Sequence, residues 1–117
     1  MWGHLPTHSD TILQFGTGRF LRSFVDLFIH EANEFGDTRW DVVAVQSTGD
    51  ERARQLCSGP FQVALRGMFG GERVDTVTTV HSIRRALAAT TSWGEVLSVG
   101  ECETLKVVVS NTTEAGL

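Results

Sequence analysis

Residues 12–26 read Ile12-Leu13-Gln14-Phe15-Gly16-Thr17-Gly18-Arg19-Phe20-Leu21-Arg22-Ser23-Phe24-Val25-Asp26, and the chain changes its period within them. Thr11 to Phe15 is a short, mostly apolar run that stops at Gly16-Thr17-Gly18. Bounded in this way, it reads as a buried strand entering a tight turn. From Arg19 the apolar residues Phe20, Leu21, Phe24, Val25, Leu27, Phe28, Ala32 and Phe35 recur at three- and four-residue spacing. That is the stripe of an amphipathic helix, and Gly36 with Asp37 supplies its stop. Val42-Val43-Ala44-Val45 is then a second continuous apolar run, as expected of a strand covered on both faces. Strand, glycine turn, helix and strand within about 35 residues make a βαβ unit with an expected right-handed crossover.

Outward from this unit the pattern is less regular. Gly49 to Leu56 is compatible with a short helix that Ser58-Gly59-Pro60 ends. Phe61, Val63 and Leu65 alternate with Gln62, Ala64 and Arg66, and Gly70-Gly71 is a turn signal before the Val- and Thr-rich segment 74–83. Together they predict an antiparallel hairpin. In its second arm Val74, Val77, Val80 and Ile83 fall every third residue, so the strand rests on β-branched content there. Arg84 to Ala89 reads as a helical turn. Ser92 is a plausible N-cap for a helix through Val99, with Glu95 at its third position. Leu105-Lys106-Val107-Val108-Val109 is the last strand, running into the polar segment 110–114. The predicted fold class is α/β, a Rossmann-type doubly wound, mainly parallel sheet with an inserted antiparallel hairpin, and incomplete. Residues 1–10 read as an N-terminal extension and residues 11–117 as a truncated dinucleotide-binding domain.

Composition narrows the function. With 117 residues, one domain is the expectation. Ten basic against fourteen acidic residues give a net charge of −4, which argues against a nucleic-acid-coating protein. No run of about 18 apolar residues predicts a membrane span, and no basic-then-apolar leader is visible, so a cytoplasmic location is expected. Cys57 and Cys102 stand alone, which suits a reducing compartment. His4 and His8 flank Pro6 and make no helical ligand pair; His30 and His81 share no ligand spacing, and no metal site is expected.

The glycine turn is where chemistry can reside. A phosphate site needs backbone N–H groups aimed at one point with no side chain in the way, and a strand-to-helix turn supplies both along with the helix dipole. Gly16 permits the turn, and Gly18 lets a pyrophosphate approach the backbone. The third glycine of the dinucleotide fingerprint is replaced by Leu21. An acidic ribose ligand about twenty residues on would be Asp41, but Asp41 precedes the second strand and reads as a solvated strand-entry residue. Gln46, Ser47, Thr48 and Asp50 follow that strand instead; Asp50 serves equally well as an N-cap. Arg52 and Arg54 are near enough to meet a 2′-phosphate, or simply face water. The last strand can lie beside the first, so that Ser110-Asn111-Thr112-Thr113-Glu114 faces the nicotinamide half of a cofactor; a polar loop with a helix N-cap is the plain alternative.

Residues 12–26 as quoted, with their GxGxFxR form, resemble the N-terminal segment of the long-chain mannitol dehydrogenase family. Ser110-Asn111-Thr112-Thr113-Glu114-Ala115-Gly116-Leu117, Val45-Gln46-Ser47-Thr48-Gly49 and Val63-Ala64-Leu65-Arg66-Gly67 are similar to its tagaturonate reductase (altronate oxidoreductase)-like branch. The resemblance implies an NAD-dependent, metal-independent oxidoreductase that moves hydride between nicotinamide and a keto or hydroxy group of a hexuronate or polyol, with NADP not excluded. By position, Gly16, Thr17, Gly18, Arg19 and Phe20 would hold the pyrophosphate. Gln46, Ser47 and Asp50 would lie near the adenosine ribose, and Ser110, Asn111, Thr112 and Glu114 would face the nicotinamide. The family's catalytic lysine and its partners belong to a C-terminal helical domain, so no catalytic residue is expected in this chain. Lys106, the only lysine, is read inside an apolar strand. The competing expectation is a short, non-catalytic nucleotide-binding or interaction module.

Overall fold

A computed structural model describes residues 10–36 and 39–111. Strand β1 (Asp10–Phe15) leads through the glycine turn into a helix that runs in three pieces: α1 (Arg19–Leu21), a π-helical segment (Arg22–Asp26) and α2 (Leu27–Phe35). Strand β2 (Asp41–Gln46) and helix α3 (Glu51–Cys57) follow. A hairpin of β3 (Phe61–Phe69) and β4 (Glu72–Val80) precedes β5 (Ile83–Ala88), α4 (Ala89–Gly100) and β6 (Val107–Ser110).

The parallel sheet has the order β5-β2-β1-β6, and β3 pairs only with β4 in a separate two-stranded sheet. An α/β fold with a mainly parallel sheet and an antiparallel pair is thus as the sequence led us to expect. β1 lies between β2 and β6, with Phe15 opposite both Val45 and Ser110. The chain moves to one side of β1 through β2 and β5, then returns to its other side through β6, so the strand order reverses there. In parallel α/β sheets such a reversal opens a crevice at the carboxyl ends of the strands.

The core explains the patterns. β2 is covered on both faces: Val43 and Val45 pack with Leu13, Leu87, Val96 and Val99 on one side, and Ala44 packs with Ala53, Leu56, Ala86 and Ala88 on the other. The alanines of β2, α3 and β5 let that helix sit close to the sheet. The hairpin turns on Gly70 and Gly71, both at positive φ (+59° and +83°), the backbone that a two-residue turn matched to strand twist requires.

Four expectations need correction. Arg84 to Ala89 is no helical turn, since Ile83–Ala88 is the parallel strand β5. Its Ala-Leu-Ala sequence carries helical propensity, but Ala86 and Ala88 face α3 while Leu87 faces α4, and burial on both faces decides the conformation. By the same token, the hairpin's second arm ends at Val80 and Ile83 begins the next strand. The helical stripe is not uniformly inward either. Leu21, Asp26, Leu27 and His30 are buried, whereas Phe20, Phe24 and Phe28 are 57%, 49% and 59% exposed. A π-helical turn holds extra backbone per turn and shifts the phase of the residues that follow. Finally, Asp41 is buried rather than solvated. Its backbone N–H donates to Thr11 Oγ1 at 2.7 Å and its carboxylate accepts from Arg39 Nε at 2.9 Å.

β6 is an edge of the sheet, and Val107 and Val108 on it are exposed. Lys106 precedes β6 rather than lying within it, and its N–H donates to the Thr11 carbonyl. No helix among the described residues is long and apolar enough to cross a membrane. Cys57 and Cys102 are both free and exposed.

Candidate functional site

The site is built at the carboxyl ends of β1 and β2. Gly16 has φ +131°, a left-handed backbone that an L side chain rarely adopts, and its N–H donates to the Val45 carbonyl at 2.9 Å. A Cβ on Gly16 would stand 2.7 Å from Leu21 Cδ1. Leu21, where the common fingerprint has its third glycine, is therefore the residue that closes over the turn from inside; it is 3% exposed. Gly18 differs in kind. Its φ of −74° and ψ of 174° suit any residue, and a Cβ there would meet nothing within 4 Å. Space outside the turn at Gly18 is open to a ligand.

A cleft of about 380 Å³ adjoins this turn, lined by Gly16, Thr17, Gln46, Ser47, Thr48, Glu51, Arg52 and Gln55. The lining is polar. Gln46 has a structural task in it: Nε2 donates to the Thr48 carbonyl at 2.8 Å, and Oε1 accepts from the Ala53 N–H at 2.8 Å. It thus ties the loop after β2 to the first turn of α3. Arg52 reaches across the cleft, its Nη1 3.4 Å from the Thr17 carbonyl.

Of the twelve residues read from the sequence, Gly16, Thr17, Gln46 and Ser47 share this cleft. Gly18 sits at the turn, and Phe20 projects outward from the start of the helix. Arg19 lines a second cleft with Arg22, Ser23 and the first residues of β3. Asp50 is not brought to the glycine turn. It precedes α3 without a side-chain capping bond, its carboxylate pairs with Arg54 at 3.3 Å, and it lines a cleft toward β5 with Ala86 and Ala88. Ser110 and Asn111 stand past the end of β6, on the opposite side of β1 from Gln46. Thr112 and Glu114 lie outside the described residues, as do His4 and His8.

Sequence reading passed over Arg22, Gln14 and Asp26. The Arg22 guanidinium lies 5.8 Å from the Phe61 ring centroid, and its Nε is buried without a partner among the described residues. Burial first, then the neighbouring Arg52 and Arg19, pull its pKa below the ordinary value, with Asp26 opposing. Three guanidinium groups therefore feel one another around the turn in a chain whose net charge is −4. Such a local excess favours a polyanionic ligand.

Gln14 and Asp26 are fully buried beneath the turn. Gln14 Nε2 donates to the Gly16 carbonyl and to Asp26 Oδ2, both at 3.0 Å. Burial pushes the Asp26 carboxyl up to about 6, against the hydrogen bond from Gln14 and the charge of Arg22. The available signal was a lone polar residue inside each apolar pattern: Gln14 in the strand run and Asp26 in the helical stripe.

No family model matches the chain. Individual proteins do. It is 34% identical over its whole length to an altronate oxidoreductase of Bacillus subtilis. Over 92% of its length it is 40% identical to that of Halalkalibacterium halodurans and 37% to that of Bacteroides thetaiotaomicron. The chain spans about a quarter of the length of these relatives (25%, 22% and 23%). The crystal structure of a D-sorbitol dehydrogenase in substrate-free form superposes with a TM-score of 0.69 at 22% identity, over 89% of this chain and 22% of that one. That likeness concerns the fold. The resemblance carried by residues 12–26 is thus matched by similarity to altronate oxidoreductases along nearly the entire chain.

Proposed function

We propose that residues 11–117 form the dinucleotide-binding part of an NAD-dependent oxidoreductase acting on a keto or hydroxy group of a hexuronate or polyol. In this reading the pyrophosphate lies on the turn Gly16–Phe20. One observation carries it: the open approach at Gly18, beside a turn that three arginines surround. Backbone N–H groups at the helix start would face the phosphates, and Arg19, Arg22 and Arg52 would neutralise them. The cleft over Ser47, Thr48 and Gln55 is of a size and polarity to take the adenosine half. Gln46 shapes its floor, since both ends of its amide are already committed. Arg52, and the lack of an acidic residue directly after β2, leave room for a 2′-phosphate as well as a hydroxyl.

Ser110 and Asn111 lie across the strand-order reversal from this cleft, where the nicotinamide half would point; Thr112 and Glu114 belong to the same proposal. The nicotinamide, when bound, supplies the hydride acceptor or donor. This chain's groups bind and orient it. Lys106 lies before the start of β6, at the end of the sheet away from the cleft, and is no candidate base. Proton transfer to the sugar therefore falls to residues outside this chain, and the chain alone should bind a dinucleotide without turning over altronate.

Calorimetric titration with NAD, NADP, ADP-ribose and adenosine tests the reading. Ligands with a diphosphate are expected to bind, and adenosine at least about tenfold more weakly, because the turn and its arginines act only on the phosphates. Equal affinity for adenosine and ADP-ribose, or no binding of any of them, would overturn it.

A further inference from the structure

Beneath the glycine turn, two buried side chains are each half satisfied. Gln14 Nε2 spends its donors on the Gly16 carbonyl and on Asp26 Oδ2, while Gln14 Oε1 and Asp26 Oδ1 have no partner among the described residues. Both unpartnered atoms are acceptors while the carboxyl is ionised, and burying two such acceptors is costly. A single proton on Asp26 Oδ1 changes this, because it supplies the donor that Gln14 Oε1 lacks. Acid and amide then pair reciprocally, and the same amide holds the Gly16 carbonyl.

We propose that Asp26 is a positioning residue for the phosphate turn, acting through Gln14, and that its protonation tightens the turn and strengthens nucleotide binding. The proposal rests on the nucleotide reading above. Electrostatics act in the same direction, since an ionised carboxylate under the turn repels the phosphates that the turn would hold. The π-helical segment makes the contact by turning Asp26 inward, where the Ser82 hydroxyl also anchors its backbone carbonyl at 2.6 Å. Burial raises this carboxyl to about 6, so the step falls just below neutrality. The charged groups around it are Arg22 on its own helix, with Arg52 and Arg19 beyond. One turn along is His30, whose Nδ1 accepts from the His81 N–H and whose ring lies 5.6 Å from that of His81.

The test follows the Asp26 carboxyl carbon and the Thr17 and Gly18 amides of the isotopically labelled 117-residue chain through a pH titration by NMR. The expected result is one shared midpoint for carboxyl and turn. In Asp26→Asn, whose amide mimics the protonated acid, the turn amides should stay flat, whereas any titration of His30 and His81 persists. Gln14→Leu should uncouple the turn from the carboxyl. In parallel, ADP-ribose should bind the wild type several-fold more tightly on the acid side of the midpoint, and Asp26→Asn equally at both pH values. Turn amides that ignore the carboxyl in the wild type, or that titrate unchanged in Asp26→Asn, would overturn the proposal without any variant having to bind ligand. A wild type that shows the coupled titration but binds no nucleotide would sink the nucleotide reading, and with it the binding half of this proposal, while leaving the coupling intact.

Discussion

Replacing Gly16 by alanine should cost stability, whereas the same change two residues later should cost almost none. At Gly16 two penalties add. The backbone φ of +131° is foreign to an L residue, a strain of about 1–3 kcal/mol. The new Cβ would also lie 2.7 Å from Leu21 Cδ1. Leu21 is packed in the interior, and displacing it should cost about another 1–3 kcal/mol. The sum, about 2–6 kcal/mol, is a large share of the roughly 5–15 kcal/mol that holds a small domain together. At Gly18 the backbone is ordinary and the space empty, so alanine should leave stability within about 0.5 kcal/mol. Its Cβ would instead stand where a pyrophosphate must come, and ADP-ribose affinity should fall by about tenfold or more. Urea unfolding followed by tryptophan fluorescence reads the first effect and calorimetry the second. A double-mutant cycle with Leu21→Ala isolates the clash, because that background should absorb about half of the Gly16→Ala penalty. Equal stability losses at the two glycines, or strict additivity with Leu21→Ala, would refute the argument.

Other outcomes follow from the same geometry. The Asp26 carboxyl, ordinarily 3.8, is raised to about 6 in the fold, so folding favours its protonated form. Its stabilising contribution is complete below about pH 4 and is lost as pH rises to 6, for about 3 kcal/mol in all. Unfolding midpoints measured across that window should fall for the wild type, and Asp26→Asn should remove this component. Gln46→Leu should destabilise by about 1–3 kcal/mol in chemical denaturation, because it orphans the Ala53 N–H. Leu56→Ala, in the buried cluster between α3 and the sheet, should cost about 2–5 kcal/mol with an unchanged denaturant slope. Arg52→Ala should weaken ADP-ribose binding and flatten its salt dependence while leaving stability within about 0.5 kcal/mol.

What was legible in the sequence, and what was not, divides along physical lines. β1, the turn and β2 could be read because burial on both faces leaves uninterrupted apolar runs, and because Gly16 serves a backbone that nothing else adopts. The hairpin announced itself through Gly70-Gly71. β5 was hidden because Ala86 and Ala88 are chosen for close approach to α3, and small residues signal helix as readily as strand. The aromatic stripe misled because a π-helical turn between Arg22 and Asp26 shifts the phase, leaving Phe20, Phe24 and Phe28 outside. Asp50 looked well placed by number alone, yet the direction of α3's first turn gives it to Arg54. Gln14 and Asp26 could have been noticed as polar residues inside apolar patterns, but only the fold shows that they meet.

The most direct test of the account maps the amide shifts of the chain as ADP-ribose is added. The account predicts that Gly16 to Phe20 and Gln46 to Thr48 respond together and ahead of all other residues, with a common dissociation constant. Shifts that centre instead on the cleft toward β5 (Asp50, Arg54, Ser92) or on the hairpin would contradict it.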